Sequence, residues 1–130
     1  MDLTTLLSQV FGIYLIIGGV SIWYRRRYFV PVLGAFAHDP LLRLIVGTME
    51  LVAGLFLVLT HNIWSSAAAS IVTLFGWMLV LEGALYMIAS DKFVERMFSM
   101  LNRPAWFVFG GIFAIVTGLY LVASGFGWLS

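Results

Sequence analysis

The chain has 130 residues, 62% of them hydrophobic and 10% charged, with a mean hydropathy of +1.05. A soluble domain is about 45–50% apolar and about 25% charged, so this composition excludes an ordinary water-soluble domain and points to a bilayer. Cysteine is absent, which excludes disulfides, thiolate metal sites and cysteine nucleophiles. The net charge of +1 carries no message, and nucleic acid is not expected as a partner.

Residues 3–24 are almost wholly apolar and end in Trp23-Tyr24, followed by Arg25-Arg26-Arg27. A cleavable signal peptide carries basic residues before its apolar run and a small-residue cleavage site after it. Only Asp2 precedes this run and three arginines follow it, so the expectation is a permanent first helix with its N-terminus outside. Residues 25–39 form the first connection, ending at His38-Asp39-Pro40. Asp39 suits an N-cap, and Pro40 suits the first helical position, where a missing N–H costs nothing. A second helix is predicted over about 41–60, with Glu50 near its middle, followed by a short turn at His61-Asn62.

The third apolar stretch, predicted as a helix over about 63–89, organises the chain. It runs from Trp64 past Phe75-Gly76-Trp77 to Leu81-Glu82-Gly83 and Tyr86. At about 1.5 Å per residue it is long enough to cross a hydrocarbon layer of roughly 30 Å. Between residues 91 and 101, Phe93, Val94, Met97, Phe98 and Leu101 alternate with Lys92, Glu95, Arg96 and Ser99 at the spacing of a short amphipathic helix lying in the interface. Pro104 opens a fourth helix over about 104–123, and a Gly-containing tail follows with Trp128 at the membrane edge.

The expected class is therefore an all-α integral membrane protein, a single domain over 1–130 with four transmembrane helices. Arg25, Arg26, Arg27, Arg43, Lys92, Arg96 and Arg103 all fall on the side of the connections 25–39 and 90–103. The positive-inside bias makes those connections cytoplasmic and puts both termini outside. Trp23 and Trp106 then mark the inner interface, and Trp64 and Trp128 the outer one.

Sliding the chain by 64 positions aligns residues 10–59 with 74–123 without a gap, and thirteen of the fifty pairs are identical. Phe11-Gly12 meets Phe75-Gly76, Gly19 meets Gly83, Pro40 meets Pro104, and Gly47 and Gly54 meet Gly111 and Gly118. Apolar composition supplies chance matches of Leu and Val more readily than of Gly and Pro. The expectation is two tandem helical-hairpin repeats, about 3–60 and 63–124, related by an axis along the membrane normal. Each helix thereby carries glycines seven apart: Gly12/Gly19, Gly47/Gly54, Gly76/Gly83 and Gly111/Gly118. Seven residues are nearly two turns, so each pair lies on one face, where small residues let backbones approach. Close packing within the bundle or between protomers is expected rather than a glycine-lined pore.

Glu50 and Glu82 are the only ionisable side chains expected well inside the hydrocarbon. They fall at similar depth, so they could meet across the second and third helices. A charged acid at mid-membrane costs roughly 2.5–3.5 kcal/mol on insertion scales, and two side by side are expected to share a proton. Two roles fit: an interhelical tether, or a proton or cation relay, since intramembrane acids are functional candidates by default. The tether is the first expectation, because Glu82 aligns with Gly18 and Glu50 with Ala114, so the acids are not a duplicated site. Thr48, Ser70, Thr73, Tyr86 and Thr117 are possible partners, with Tyr86 one turn from Glu82.

His38 and His61 belong to opposite faces and cannot share a metal, so each is expected as an interfacial polar residue. Trp77 is expected in the core beside Gly76. Arg25, Arg26 and Arg27 serve as a topology signal or bind anionic headgroups. No HExxH, nucleophile elbow, P-loop or dinucleotide fingerprint occurs, so no enzyme, cofactor or metal is expected.

Leu81-Glu82-Gly83-Ala84-Leu85-Tyr86, the basic amphipathic stretch and the Gly-rich helix after Pro104 together resemble the hairpin of YjeT-type small bacterial inner-membrane proteins. The first half, with Gly12-Ile13-Tyr14 and His61-Asn62-Ile63-Trp64, resembles four-helix bacterial membrane proteins of unknown function. The resemblance implies a bacterial inner-membrane home and no activity. The functional expectation is a non-enzymatic protein acting by association, as an accessory subunit of a larger membrane complex or a homo-oligomer, with membrane lipids as further partners. The alternatives are a small oligomeric proton- or cation-coupled transporter or channel using Glu50 and Glu82, and a lipid-binding protein.

Overall fold

Short polar side chains set most of the helix starts in the computed structural model, which describes residues 2–129. Helix α1 (Leu3–Tyr24) begins where the Asp2 carboxylate accepts from the Thr5 N–H at 2.7 Å, and α3 (Pro40–Thr60) where Asp39 accepts from the Leu42 N–H at 3.1 Å. Hydrogen bonds from Thr5 hold the Asp2 carboxyl below its ordinary range. Ser66 caps α4 (Ala67–Ile88), and Ser90 caps α5 (Asp91–Leu101), each accepting from the amide three residues on. The remaining helices, α2 (Arg26–Ala37) and α6 (Pro104–Gly125), start without a side-chain cap. The described residues contain no strand. Helices α1, α3, α4 and α6 are each long and apolar enough to cross a membrane.

Two element boundaries differ from the sequence reading. The connection over 25–39 is itself largely helix α2, with Pro31 inside it. Its Phe29, Leu33, Phe36 and Ala37 recur at helical spacing, and burial of that stripe, with Ala37 only 2% exposed, offsets the amide hydrogen bond that Pro31 cannot make. The third apolar stretch becomes helical only at Ala67, because residues 61–66 are held in an irregular turn by side-chain bonds described below.

The four long helices form two tight antiparallel pairs, α1 with α6 and α3 with α4. Helices adjacent along the chain within each half, α1 with α3 and α4 with α6, are not the tight pairs. The two pairs meet chiefly through α1 and α4, where Phe11 and Phe75 stack at 5.9 Å with ring planes 14° apart. One apolar cluster surrounds this contact, around Val72 and Leu121. A second, around Tyr86, Val94 and Phe98, lies at the end capped by α2 and α5.

Backbone contact between glycines makes each pair tight. A Cβ on Gly118 would lie 2.7 Å from the Gly12 carbonyl oxygen, and one on Gly111 would lie 2.8 Å from that of Gly19. In the other pair, a Cβ on Gly83 would lie 2.6 Å from the Gly47 carbonyl oxygen and against the Leu51 backbone. All eight glycines of the seven-residue spacing are buried inside the chain. Trp77, next to Gly76, is not in the core. It is 41% exposed on the outer face, because the helix turns the neighbour of a packed glycine away from the contact.

Replacing Gly83 with Val should lower unfolding stability in detergent by about 1–3 kcal/mol or more, since the obstructing atoms are backbone and cannot rotate away. Gly18→Ala and Gly110→Ala, where nothing lies within 4 Å, should leave stability unchanged or raise it by up to about 1 kcal/mol through helix propensity. Equal losses for the three variants would contradict this packing.

Candidate functional site

The contact between Gly47 and Gly83 carries Glu50, one turn along α3, to the same level as Glu82 on α4. Both acids line one groove of about 540 Å³, together with Tyr86. The groove is walled by Tyr14 of α1, by Phe29, Val32, Leu33 and Phe36 of α2, by Val46 of α3 and by Phe98 of α5. Helix α2, read from the sequence as a connection, therefore supplies much of the wall. Three rings close the end beneath α2 and α5: Phe36 stacks on Phe98 at 5.6 Å, and Tyr86 meets both edge-on at 5.6 and 5.9 Å.

The Tyr86 hydroxyl donates to Glu82 Oε1 at 2.6 Å, one turn along the same helix. Glu50 Oε2 is enclosed and has no hydrogen-bond partner. Of the five partners expected for the acids, only Tyr86 reaches one. Thr48 turns back onto the Leu44 carbonyl, Ser70 bonds the Trp64 carbonyl, and Thr73 serves His61. Thr117 lines a separate groove with Phe75 and Phe113. No hydrogen bond described for either acid crosses from one helix to another. What brings the acids together is the glycine contact beside them.

His61, at the C-terminal end of α3, is fully buried within the chain. Its Nε2 lies 2.8 Å from Thr4 Oγ1 and its Nδ1 lies 3.0 Å from Thr73 Oγ1. Thr73 has one hydroxyl proton, and the nearest acceptor is the Ile63 carbonyl at 2.7 Å. The Thr73 oxygen must then accept from His61 Nδ1–H and from the Ile63 N–H, which leaves His61 Nε2 to accept from Thr4. This network joins α1, the end of α3 and α4 and holds the 61–66 turn.

At the opposite end Arg43, 2% exposed, donates from Nη2 to Asp91 at 2.7 Å and ties α3 to the start of α5, while its Nε has no partner. The other end of α5 is tied by Asn102, which donates to the Val30 carbonyl of α2 at 2.8 Å. His38 sits at the end of α2 with its Nδ1 2.8 Å from the Gly34 carbonyl. Arg25 stacks over Tyr28 at 4.1 Å, Arg26 donates to the Trp23 carbonyl, and Arg27 is exposed. Among the described residues no three His, Cys, Asp or Glu gather as a metal site.

Sequence reasoning missed the burial of His61 and Arg43. For His61 the available signal was weak: Thr4 and Thr73 are two of several short polar side chains in largely apolar helices. For Arg43 it was a basic residue set inside the first turn of an apolar helix, three places beyond Pro40. No family model, no curated protein and no solved structure matches the chain.

Thr73→Val keeps the shape of the side chain but removes the partner of the buried His61 N–H and of the part-buried Ile63 backbone groups. The expected loss is about 1–3 kcal/mol in unfolding stability. Hydrogen exchange at the Ile63 amide should rise in the same variant, and exchange unchanged from wild type would remove the network from the account.

Proposed function

We propose that this chain is a bacterial inner-membrane protein whose working part is the groove holding Glu50 and Glu82, and that it carries a cation in exchange for protons. The single observation behind the reading is Glu50 Oε2, an enclosed acceptor with no partner, in a groove shared with a second acid. A buried acceptor left unmatched is disfavoured, and a carboxylate oxygen, unlike the equally unpartnered Ser8 Oγ and Asn102 Oδ1, can be matched by a proton or a cation. The tether reading asks for hydrogen bonds between helices at the acids, and the acids make none. Association through glycine faces has less support, because those faces are used within the chain.

The tandem repeat belongs to the same proposal. Shifting α1 (Leu3–Tyr24) by 64 gives 67–88, the bounds of α4; shifting α2 gives 90–101, close to α5; shifting α3 gives 104–124, close to α6. The contact of Gly47 with Gly83 corresponds to that of Gly111 with Gly19, and the stacked rings Phe11 and Phe75 are themselves a repeat pair. Helix pairs exchanged between halves in this way favour a twofold axis passing near those two rings, along the membrane normal. At the groove the halves diverge: Glu50, Glu82 and Tyr86 stand opposite Ala114, Gly18 and Ile22. The acids therefore belong to one side of the duplicated scaffold and are not themselves a duplicated site. The distribution of basic residues favours a cytoplasmic α2 and α5 end with both termini outside.

Proton-coupled cation flux into liposomes holding the purified chain tests the proposal. Wild type should support flux; Glu50→Gln and Glu82→Gln should each reduce it by about tenfold or more while the chain still folds. Absent wild-type flux, or flux untouched by both substitutions, would sink the carrier reading. Loss of folding in both variants would restore the tether.

A further inference from the structure

Resting on the reading of the groove as a cation site, we infer that its ligand is a lipophilic organic monocation, of the quaternary ammonium or phosphonium type, entering sideways from the bilayer between α1 and α3. Four features lead there. The first is the poverty of oxygen. Hard metal cations take about six to eight oxygen ligands, or fewer with water retained. Here Glu50 and Glu82 are the only acids in the lining, and the Tyr86 hydroxyl is already committed to Glu82. A cation satisfied by one or two carboxylates suits this set better than one that must replace a hydration shell.

The second feature is the wall. Phe36, Tyr86 and Phe98 lie in mutual ring contact at the groove, and Phe29 and Tyr14 complete the aromatic lining. Aromatic faces attract large, weakly hydrated cations, and the attraction strengthens away from water. The third is size. The groove, at about 540 Å³, falls in the range of small-molecule sites and far exceeds a bare ion. The fourth is access. Helices α1 and α3 are not packed along each other, and Tyr14 at the rim is 69% exposed on the outer flank of a membrane-length helix. A ligand that partitions into the membrane reaches this opening directly.

The titratable groups facing the groove are Tyr14 of α1, Glu50 of α3, and Glu82 and Tyr86 of α4; α2 and α5 contribute only apolar side chains. The nearest buried cation along α3, Arg43, is matched by Asp91. Glu50 is thus the counter-ion, and Tyr86 holds Glu82 in place. Entry of one positive charge releases one proton from the acid pair.

Equilibrium binding of radiolabelled tetraphenylphosphonium to the full chain in nanodiscs of neutral phosphatidylcholine tests the inference. Saturable binding at one site per chain is expected, resisting a large excess of sodium, weakened at least about tenfold by Glu50→Gln and severalfold by Phe98→Leu, which keeps an apolar side chain but removes the ring. No saturable binding, or binding indifferent to Glu50→Gln in a folded chain, overturns it. The two proposals fail separately: sodium or potassium flux that requires Glu50, without phosphonium binding, refutes the ligand class and leaves the carrier, whereas binding without any proton-coupled flux refutes the carrier and leaves the ligand.

Discussion

Backbone against backbone, at four levels of the bundle, is the interaction on which the rest depends. Between helices in lipid there is little hydrophobic drive, so attraction has to come from dispersion and from groups that approach closely. Removing side chains at Gly12, Gly19, Gly111 and Gly118, and at Gly47, Gly54, Gly76 and Gly83, lets α1 meet α6 and α3 meet α4 nearly at van der Waals contact. Tight pairs of this kind commit the small faces of all four helices. What remains between the pairs is wider, lined by large apolar side chains, and forms grooves. The acidic groove is one of these, so its existence follows from how firmly the pairs close elsewhere.

Polar groups inside the bundle are handled in three ways. His61, Thr4 and Thr73 satisfy one another, down to the tautomer of the imidazole. Arg43 is matched by Asp91, whose side chain stays 64% exposed, so the ion pair stands at an edge and anchors α5. Among the described residues Glu50 Oε2 is the one enclosed carboxylate oxygen without a hydrogen-bond donor, and Ser8 Oγ, Arg43 Nε and Asn102 Oδ1 are likewise enclosed without a partner. The same low dielectric that makes a satisfied network rigid makes an unsatisfied acceptor unfavourable. The contrast between a fully satisfied His61 and an unpartnered Glu50 Oε2 is what the proposed cation site rests on.

Helices α2 and α5 complete the wall of the acidic groove. Each has a stripe of apolar residues too short to span a bilayer, and each lies across one end of the bundle with rings pointing inward. Phe36 from one and Phe98 from the other close over Tyr86. The ties at Arg43 with Asp91 and at Asn102 with Val30 hold this cover in place. One residue, Tyr86, is both a ring of the cover and the donor to Glu82.

Four long apolar helices, their caps at Asp2 and Asp39, the amphipathic α5 and the spacing of the glycines were all legible in the order of residues. Each is a local property: a run of apolar side chains, a polar residue before it, a period along one face. The shared depth of Glu50 and Glu82 was legible too, since rise per residue converts position into height. Which helices pair was not, because any two small faces are compatible until the whole bundle is closed. For the same reason Thr73 could not be assigned to His61 rather than to an acid, nor α2 to the wall of a groove rather than to an interfacial connection. Those outcomes depend on groups brought together from distant parts of the chain, and only the packed tertiary structure decides them.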